Sequence, residues 1–149
     1  DALEPLVGKA VLDAYAGGGN FAFALARRAA SVMAVESASS SVADAKATRR
    51  RLGAENVKIL KETFERSRPR KAFDAAVVDP PRTGLSPKGL AVLLELQARR
   101  LAYVSCEPAT LARDLMALSV RYRIVSVRLA DMFPQTAHIE AVAALELGR

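Results

Sequence analysis

One cysteine, one histidine and no tryptophan occur among the 149 residues, and only 5% are aromatic. With Cys106 alone, the chain can form no internal disulfide, no all-cysteine zinc site and no four-cysteine iron–sulfur cluster. No metal is expected. Long apolar runs are also lacking: the longest charge-free stretch, residues 14–26, is interrupted by Gly17, Gly18 and Gly19 and is too short to span a bilayer. The opening DALEPLVGKAVLDAY has neither a basic head nor an apolar signal-type segment. A cytoplasmic protein without a membrane partner is therefore expected. Repeats and low-complexity linkers are missing too, and with 51% hydrophobic and 26% charged residues the sequence reads as one globular domain, residues 1–149. It begins at Asp1 rather than Met, so it reads as part of a longer protein.

The balance of 22 basic against 16 acidic residues, net +6, points to an anionic partner, with nucleic acid the commonest candidate. The basic residues cluster at Arg49–Arg51, at Arg66, Arg68, Arg70 and Lys71, and at Arg121 and Arg123. Solvated helix faces would give the same clusters.

Short apolar runs alternate with helical patterns, the mark of βαβ units around a parallel sheet. Strands are expected at Ala10–Ala14, Ser31–Val35, Val57–Leu60, Phe73–Val78 and Leu101–Ser105, with helices over Asn20–Arg28, Ser40–Leu52, Pro87–Ala98 and Pro108–Leu118. Leu111, Leu115 and Leu118 mark one buried helical stripe. Tyr122–Leu129 and His138–Leu147 then read as two strands without a helix between them, an antiparallel pair at the sheet edge. Five parallel strands, a C-terminal antiparallel pair and helices on both faces make the Rossmann-like α/β sheet of class I methyltransferases.

The first expected strand runs into VLDAYAGGGNF, a glycine turn at a strand's carboxyl end opening a helix, where open α/β sheets bind ligands. Gly17, Gly19 and Ala22 satisfy G-x-G-x-x-G/A, so a nicotinamide dinucleotide has to be weighed. Against it stands Asp13 inside the strand, where a dinucleotide fold prefers an apolar residue. An acid there suits the cationic methionyl end of S-adenosylmethionine. Glu36 closes the second strand, placed for a carboxylate to accept ribose hydroxyls, a feature common to both cofactors. The fourth strand delivers Asp79 into D-P-P-R, where successive prolines fix the backbone. Arg82 stands where amino-group methylases carry a base-stacking aromatic ring, which argues against adenine-N6 or guanine-N2 chemistry. Cys106 lies just ahead of a helix opened by Pro108, where the helix N-terminus favours a thiolate nucleophile. Glu140 opens the last strand, with His138 two residues before it on the same face. A structural hydrogen-bonding role suits His138.

The segments VLDAYAGGGNF, AVE, DPPRTG, YVSCEPATLARD and DMFPQTAHIE resemble, in order, the motifs of the S-adenosylmethionine-dependent RNA uracil-5-methyltransferases, which make 5-methyluridine in tRNA or 23S rRNA. The resemblance covers nearly the whole chain and its last three motifs are the most specific. It implies a catalytic domain in which Cys106 attacks C6 of uracil and Glu140 acts as base. It further implies that Tyr15, Asn20, Glu36 and Asp79 contact S-adenosylmethionine, with S-adenosylhomocysteine the product and no protein partner required. One residue departs: Glu107 stands where Asn commonly follows the nucleophile, a negative charge that disfavours the thiolate. The family's upstream glutamine-bearing motif, central region and N-terminal RNA-binding domain have no counterpart in these residues.

The chemistry agrees with the resemblance. Uracil C5 is too weak a nucleophile to take a methyl group until a thiolate adds at C6, and a base must then remove the C5 proton. RNA cytosine-5-methylases use two cysteines, whereas this chain has one. Two alternatives stay open: methylation of another RNA base or a small molecule with Cys106 a bystander, and a non-catalytic module that only binds S-adenosylmethionine or RNA.

Overall fold

The computed structural model describes residues 2–67, 72–130 and 140–148. Strands β1 (Ala10–Ala14), β2 (Ser31–Glu36), β3 (Val57–Lys61), β4 (Ala75–Val78), β5 (Arg100–Ser105), β6 (Tyr122–Ala130) and β7 (Glu140–Leu147) form a single sheet in the order β3-β2-β1-β4-β5-β7-β6. The first five are parallel; β7 runs antiparallel between β5 and β6. The expected architecture is present. Helices α1 (Asn20–Ala26), α2 (Ser39–Leu52), α3 (Phe64–Ser67), α4 (Pro87–Leu96) and α5 (Pro108–Leu118) connect the parallel strands and lead from β5 into β6.

Side chains from alternate positions of each strand enter two separate cores, one on each side of the sheet. Leu12, Ala76, Leu101, Tyr103 and Leu145 pack with Phe64 of α3, Leu93 of α4 and the Leu111, Leu115 and Leu118 stripe of α5. On the opposite face Val11, Val32, Val77 and Val104 pack with Ala22 of α1 and with Leu3 and Leu6. Both faces of the sheet are thus covered by apolar side chains, which explains why the strands read as continuous apolar runs.

Four differences from the sequence reading have local causes. Strand β4 starts at Ala75, because Asp74 turns its carboxylate back to accept from the Ala10 amide at 2.9 Å and the Lys9 ammonium at 3.2 Å. Helix α4 stops at Leu96, where Gln97 takes a left-handed conformation with φ 48°. Helix α1 likewise ends at Ala26, with Arg27 as its C-cap. The single-turn helix α3 was not expected, since four residues are too few to show a period.

Outermost strand β6 contrasts with the rest. Val125, Val127 and Leu129 are 48%, 50% and 70% exposed, and a bulge interrupts its pairing with β7 between Ile124 and Ser126.

Candidate active site

Three strand ends converge at the carboxyl edge of the parallel sheet, where its strand order reverses between β1 and β4. After β1 the chain enters the glycine turn through Tyr15, at φ 59°, and the turn closes by a Gly19 N–H to Ala16 carbonyl bond of 2.8 Å. Gly19, at φ 91°, caps α1, and a Cβ there would lie 2.5 Å from the Phe23 ring. Glycine is required at that position. Asn20, the first residue of α1, is exposed on the turn's outer side.

Glu36 holds this turn from the neighbouring strand. Its Oε2 accepts from the Gly17 amide at 2.9 Å and its Oε1 from the Ser37 and Ala38 amides, both at 2.6 Å. Ala38 has no side chain able to cap α2, so the Glu36 carboxylate meets that need. Ser37 Oγ also donates to Oε1 at 3.5 Å, so three of the four bonds fall on Oε1, and Oε2, with the Gly17 amide alone, can take one further hydroxyl.

Asp13 lies beneath the turn in the central strand, fully buried between Ala34 and Val77. Neither of its carboxylate oxygens has a hydrogen-bond partner. Burial pushes its pKa up to about 7, the nearby Ala22 amide opposes this, and the charges of Asp79 and Glu36 push it further up. A buried acid with orphaned oxygens, ringed by two more carboxylates, is a place that a cation would stabilise. That is the fit required by the sulfonium and ammonium groups of S-adenosylmethionine.

Tyr15 faces another way. Its ring packs against Phe64 with centroids 5.5 Å apart, and its hydroxyl donates to Glu65 Oε1 at 2.8 Å, where Ser86 Oγ also donates at 3.1 Å. Desolvation and the Glu65 carboxylate raise the pKa of Tyr15, so it stays a neutral donor. The same bonds help lower the pKa of Glu65. Glu65 escaped the sequence reading because it sits on the one-turn helix that had no periodic signal.

Asp79 follows β4, its amide donating to the Ala14 carbonyl at 3.3 Å, which ties it to the cofactor turn. The residue is exposed to solvent, and desolvation by the groups around it, then the charge of Glu140, raises its pKa. Cys106 comes directly after β5 and is half-buried. Register supplies the remaining relation: the β5–β7 pairing ends with Ser105 opposite Ala141, and Cys106 and Glu140 each lie one residue beyond that pair, at the same edge of the sheet. Asp79, Cys106 and Glu140 therefore stand on three adjacent strand ends.

Glu107 is turned to the helix behind it. As N-cap of α5 it accepts from the Ala109 amide at 3.3 Å, while Ser105 Oγ bridges the Glu107 amide and carbonyl and so ties the turn that carries Cys106. Beneath this turn lies a buried cluster that the sequence reading passed over. Asp114, fully buried, accepts from Tyr103 Oη at 2.5 Å, from the Leu85 amide at 2.7 Å and from Arg113 Nε at 2.8 Å. An acid next to Leu115 and three residues after Leu111, on the apolar stripe of a helix, was the signal available for it.

His138 and the rest of the segment 131–139 lie outside the described residues, as do Arg68, Arg70 and Lys71. The other basic clusters sit away from the site. Arg49–Arg51 close α2, and Arg121 and Arg123 flank the start of β6, both at the amino edge of the sheet. Arginines in a helix's last turn complement its dipole, which accounts for part of the excess charge. Among the described residues no cluster of three or more His, Cys, Asp or Glu could hold a metal, and no helix is long and apolar enough to cross a membrane.

Comparison with known proteins agrees with this geometry. The family profile tRNA (Uracil-5-)-methyltransferase matches residues 3–147. The 23S rRNA (uracil(1939)-C(5))-methyltransferase RlmD of Pseudomonas putida is 42% identical over 156 aligned positions, covering 98% of this chain and 33% of that protein. An uncharacterized RNA methyltransferase of Gloeobacter violaceus is 45% identical over 91% of this chain and 30% of its own length. The crystal structure of Pyrococcus abyssi tRNA (uracil-54, C5)-methyltransferase in complex with S-adenosyl-L-homocysteine superposes with a TM-score of 0.86 at 34% identity, covering 95% of this chain and 35% of that one. The chain thus spans about a third of the length of the curated relatives it matches.

Proposed function

Since the chain belongs to the tRNA (uracil-5-)-methyltransferase family, we propose that it is the catalytic domain, residues 1–149, of an enzyme that methylates C5 of a uridine in tRNA or 23S rRNA. The observation that supports this reading is the β5–β7 register, whose last pair, Ser105 with Ala141, leaves Cys106 and Glu140 one residue beyond it on neighbouring strands. S-adenosylmethionine supplies an electrophilic methyl group on a sulfonium centre. Asp13 and Asp79 would face its cationic end, while Glu36, the backbone of Gly17 and Gly19, and Asn20 would hold the nucleoside part. Tyr15 would shape the pocket from its bond to Glu65.

The protein's own steps follow from these positions. The Cys106 thiolate forms a bond to C6 of uracil, and the electron pair of the C5–C6 double bond passes to C5, which then has the nucleophilicity to take the methyl group. The Glu140 carboxylate removes the C5 proton, the double bond re-forms, and the thiolate leaves with its electron pair. A stacked uridine must first swing out at a cost of a few kcal/mol. Guidance of the phosphates at this edge would fall to Arg66, Arg82 and Lys88, since the Arg49–Arg51 cluster lies at the opposite edge.

Trapping tests the reading. In the complete polypeptide, RNA carrying 5-fluorouridine should form an adduct stable on a denaturing gel, because fluorine cannot leave as a cation. Glu140→Gln should accumulate a methylated adduct on ordinary RNA, and Cys106→Ser should form none. Normal methylation by Cys106→Ser would sink the nucleophile assignment and favour the bystander alternative.

A further inference from the structure

We propose that Thr110, Arg113 and Asp114 are positioning residues for methyl transfer: they lock the 79–85 loop onto the helix that follows Cys106, so that Asp79 and Cys106 meet the base in one fixed relation. The proposal deepens the reading of Cys106 as nucleophile and rests on it.

Within the loop the Asp79 amide reaches the Ala14 carbonyl of β1 and the Gly84 amide the Pro81 carbonyl, and side chains of α5 meet the carbonyls of Arg82, Thr83 and Leu85 and the Leu85 amide. Thr110 Oγ1 donates to the Arg82 carbonyl at 3.0 Å and also lies 3.1 Å from the Glu107 carbonyl, touching both loops at once. The Arg113 guanidinium donates to the Thr83 carbonyl at 3.0 Å and to the Leu85 carbonyl at 3.2 Å. Asp114 takes the Leu85 amide on the oxygen that also accepts from Tyr103, a residue of β5 itself. Its other oxygen accepts from Arg113 Nε at 2.8 Å and lies 2.7 Å from a terminal guanidinium nitrogen. Apart from the Arg113–Asp114 pair itself, the links run to the loop that begins at Asp79, to Tyr103 of the strand that ends before Cys106, or to Glu107 just after it.

Packing alone does not call for such an arrangement. Leu111, Leu115 and Leu118 already seat α5 on the sheet, and an aliphatic residue at position 114 would bury more cheaply than an ion pair. Directed hydrogen bonds define an angle and a register that apolar contact leaves loose. Gly84 fits the same purpose: at φ 71°, a Cβ there would lie 2.5 Å from an Arg113 nitrogen and 2.6 Å from an Asp114 oxygen. The loop sits flush against the clamp because it has no side chain at that point.

The test compares wild type, Arg113→Ala, Arg113→Lys and Thr110→Val in the complete polypeptide, with 5-fluorouridine RNA and S-adenosylmethionine. Both the rate constant and the final amplitude of covalent adduct are followed. Arg113→Ala should slow adduct formation by about tenfold or more, as misplacement of reacting groups does, with full amplitude and unchanged affinity for S-adenosylmethionine. Arg113→Lys should recover part of the rate. Thr110→Val, the least disruptive change, should give a smaller slowing of the same kind and keeps the test open if Arg113→Ala does not fold. Unchanged rate constants overturn the proposal, and so does a reduced amplitude at the wild-type rate constant, the outcome of a merely structural role. Absence of adduct from wild type would strike the Cys106 chemistry first and the clamp with it.

Discussion

Two aspartates are fully buried at one edge of this sheet, and they are treated in opposite ways. Asp114 accepts from Tyr103, Leu85 and Arg113, so every acceptor position facing protein is used. Asp13, two strands away, has no hydrogen bond at either oxygen. The first arrangement is finished and serves as scaffold. The second is incomplete, and the proposed ligand is what would complete it. The glycine turn above Asp13 is correspondingly open, with nothing within 4 Å of a Cβ at Gly17 or Gly18, whereas the loop beside Asp114 is closed up to Gly84.

Breaking the finished side should cost most. Asp114→Ala leaves Arg113, Tyr103 and the Leu85 amide without their acceptor, and urea unfolding should register a loss of about 3–5 kcal/mol. A loss below about 1 kcal/mol would mean that the cluster is not fixed as described.

The incomplete side should appear in pH dependence. In the folded state burial pushes the Asp13 pKa up to about 7, from an ordinary value of 3.8. The folded state therefore holds more protons than the unfolded state between those values, and stability should fall as pH rises through that window and level off above it. At about 1.4 kcal/mol per unit the upper bound is roughly 4 kcal/mol, and relaxation around the charge should bring it to about half. Asp13→Asn should flatten the profile. Ligand should reverse the trend, because a cation favours the ionised acid: affinity for S-adenosylmethionine should rise with pH over the same range. Identical slopes for parent and variant in urea titrations at several pH values would remove Asp13 from this role.

Two glycines sharpen the contrast at smaller scale. Gly84→Ala combines a left-handed backbone with a steric clash and should destabilise by about 3 kcal/mol, whereas Gly17→Ala, with positive φ but open space, should cost about 1 kcal/mol. Equal losses in thermal unfolding would show that the two loops are not built differently. Glu36→Ala should weaken binding of S-adenosylmethionine by about 1–3 kcal/mol in isothermal titration. Unchanged affinity would move the nucleoside site elsewhere.

Much of this was legible beforehand, for reasons that differ by element. The buried strands announced themselves because parallel strands covered on both faces are apolar throughout. Helix α5 was legible through its leucine spacing and Pro108, and Asp13, Glu36, Asp79 and Cys106 through their places at strand ends. Glu65 was hidden on a turn too short to have a period. Thr110, Arg113 and Asp114 looked like ordinary helical residues because their partners, Arg82, Thr83 and Leu85, lie some 30 positions earlier, and only the fold brings them together. The basic clusters left both of their readings open for a related reason. Which edge they occupy depends on helix direction, and that is fixed only once each helix is attached to its strand.

The chain has one sulfhydryl, and it is half-buried at the end of β5. Chemically, the molecule thus comes with its own address. A maleimide fluorophore, a spin label or a photocrosslinker directed to sulfur can attach at a single place, the strand end between Asp79 and Glu140, without any engineered site. Distances, solvent polarity and neighbouring RNA could then be read out from the candidate site itself. The same singularity makes oxidation all-or-none: one sulfenic acid at Cys106 removes the proposed nucleophile, with no second thiol in the chain to trap it as a disulfide.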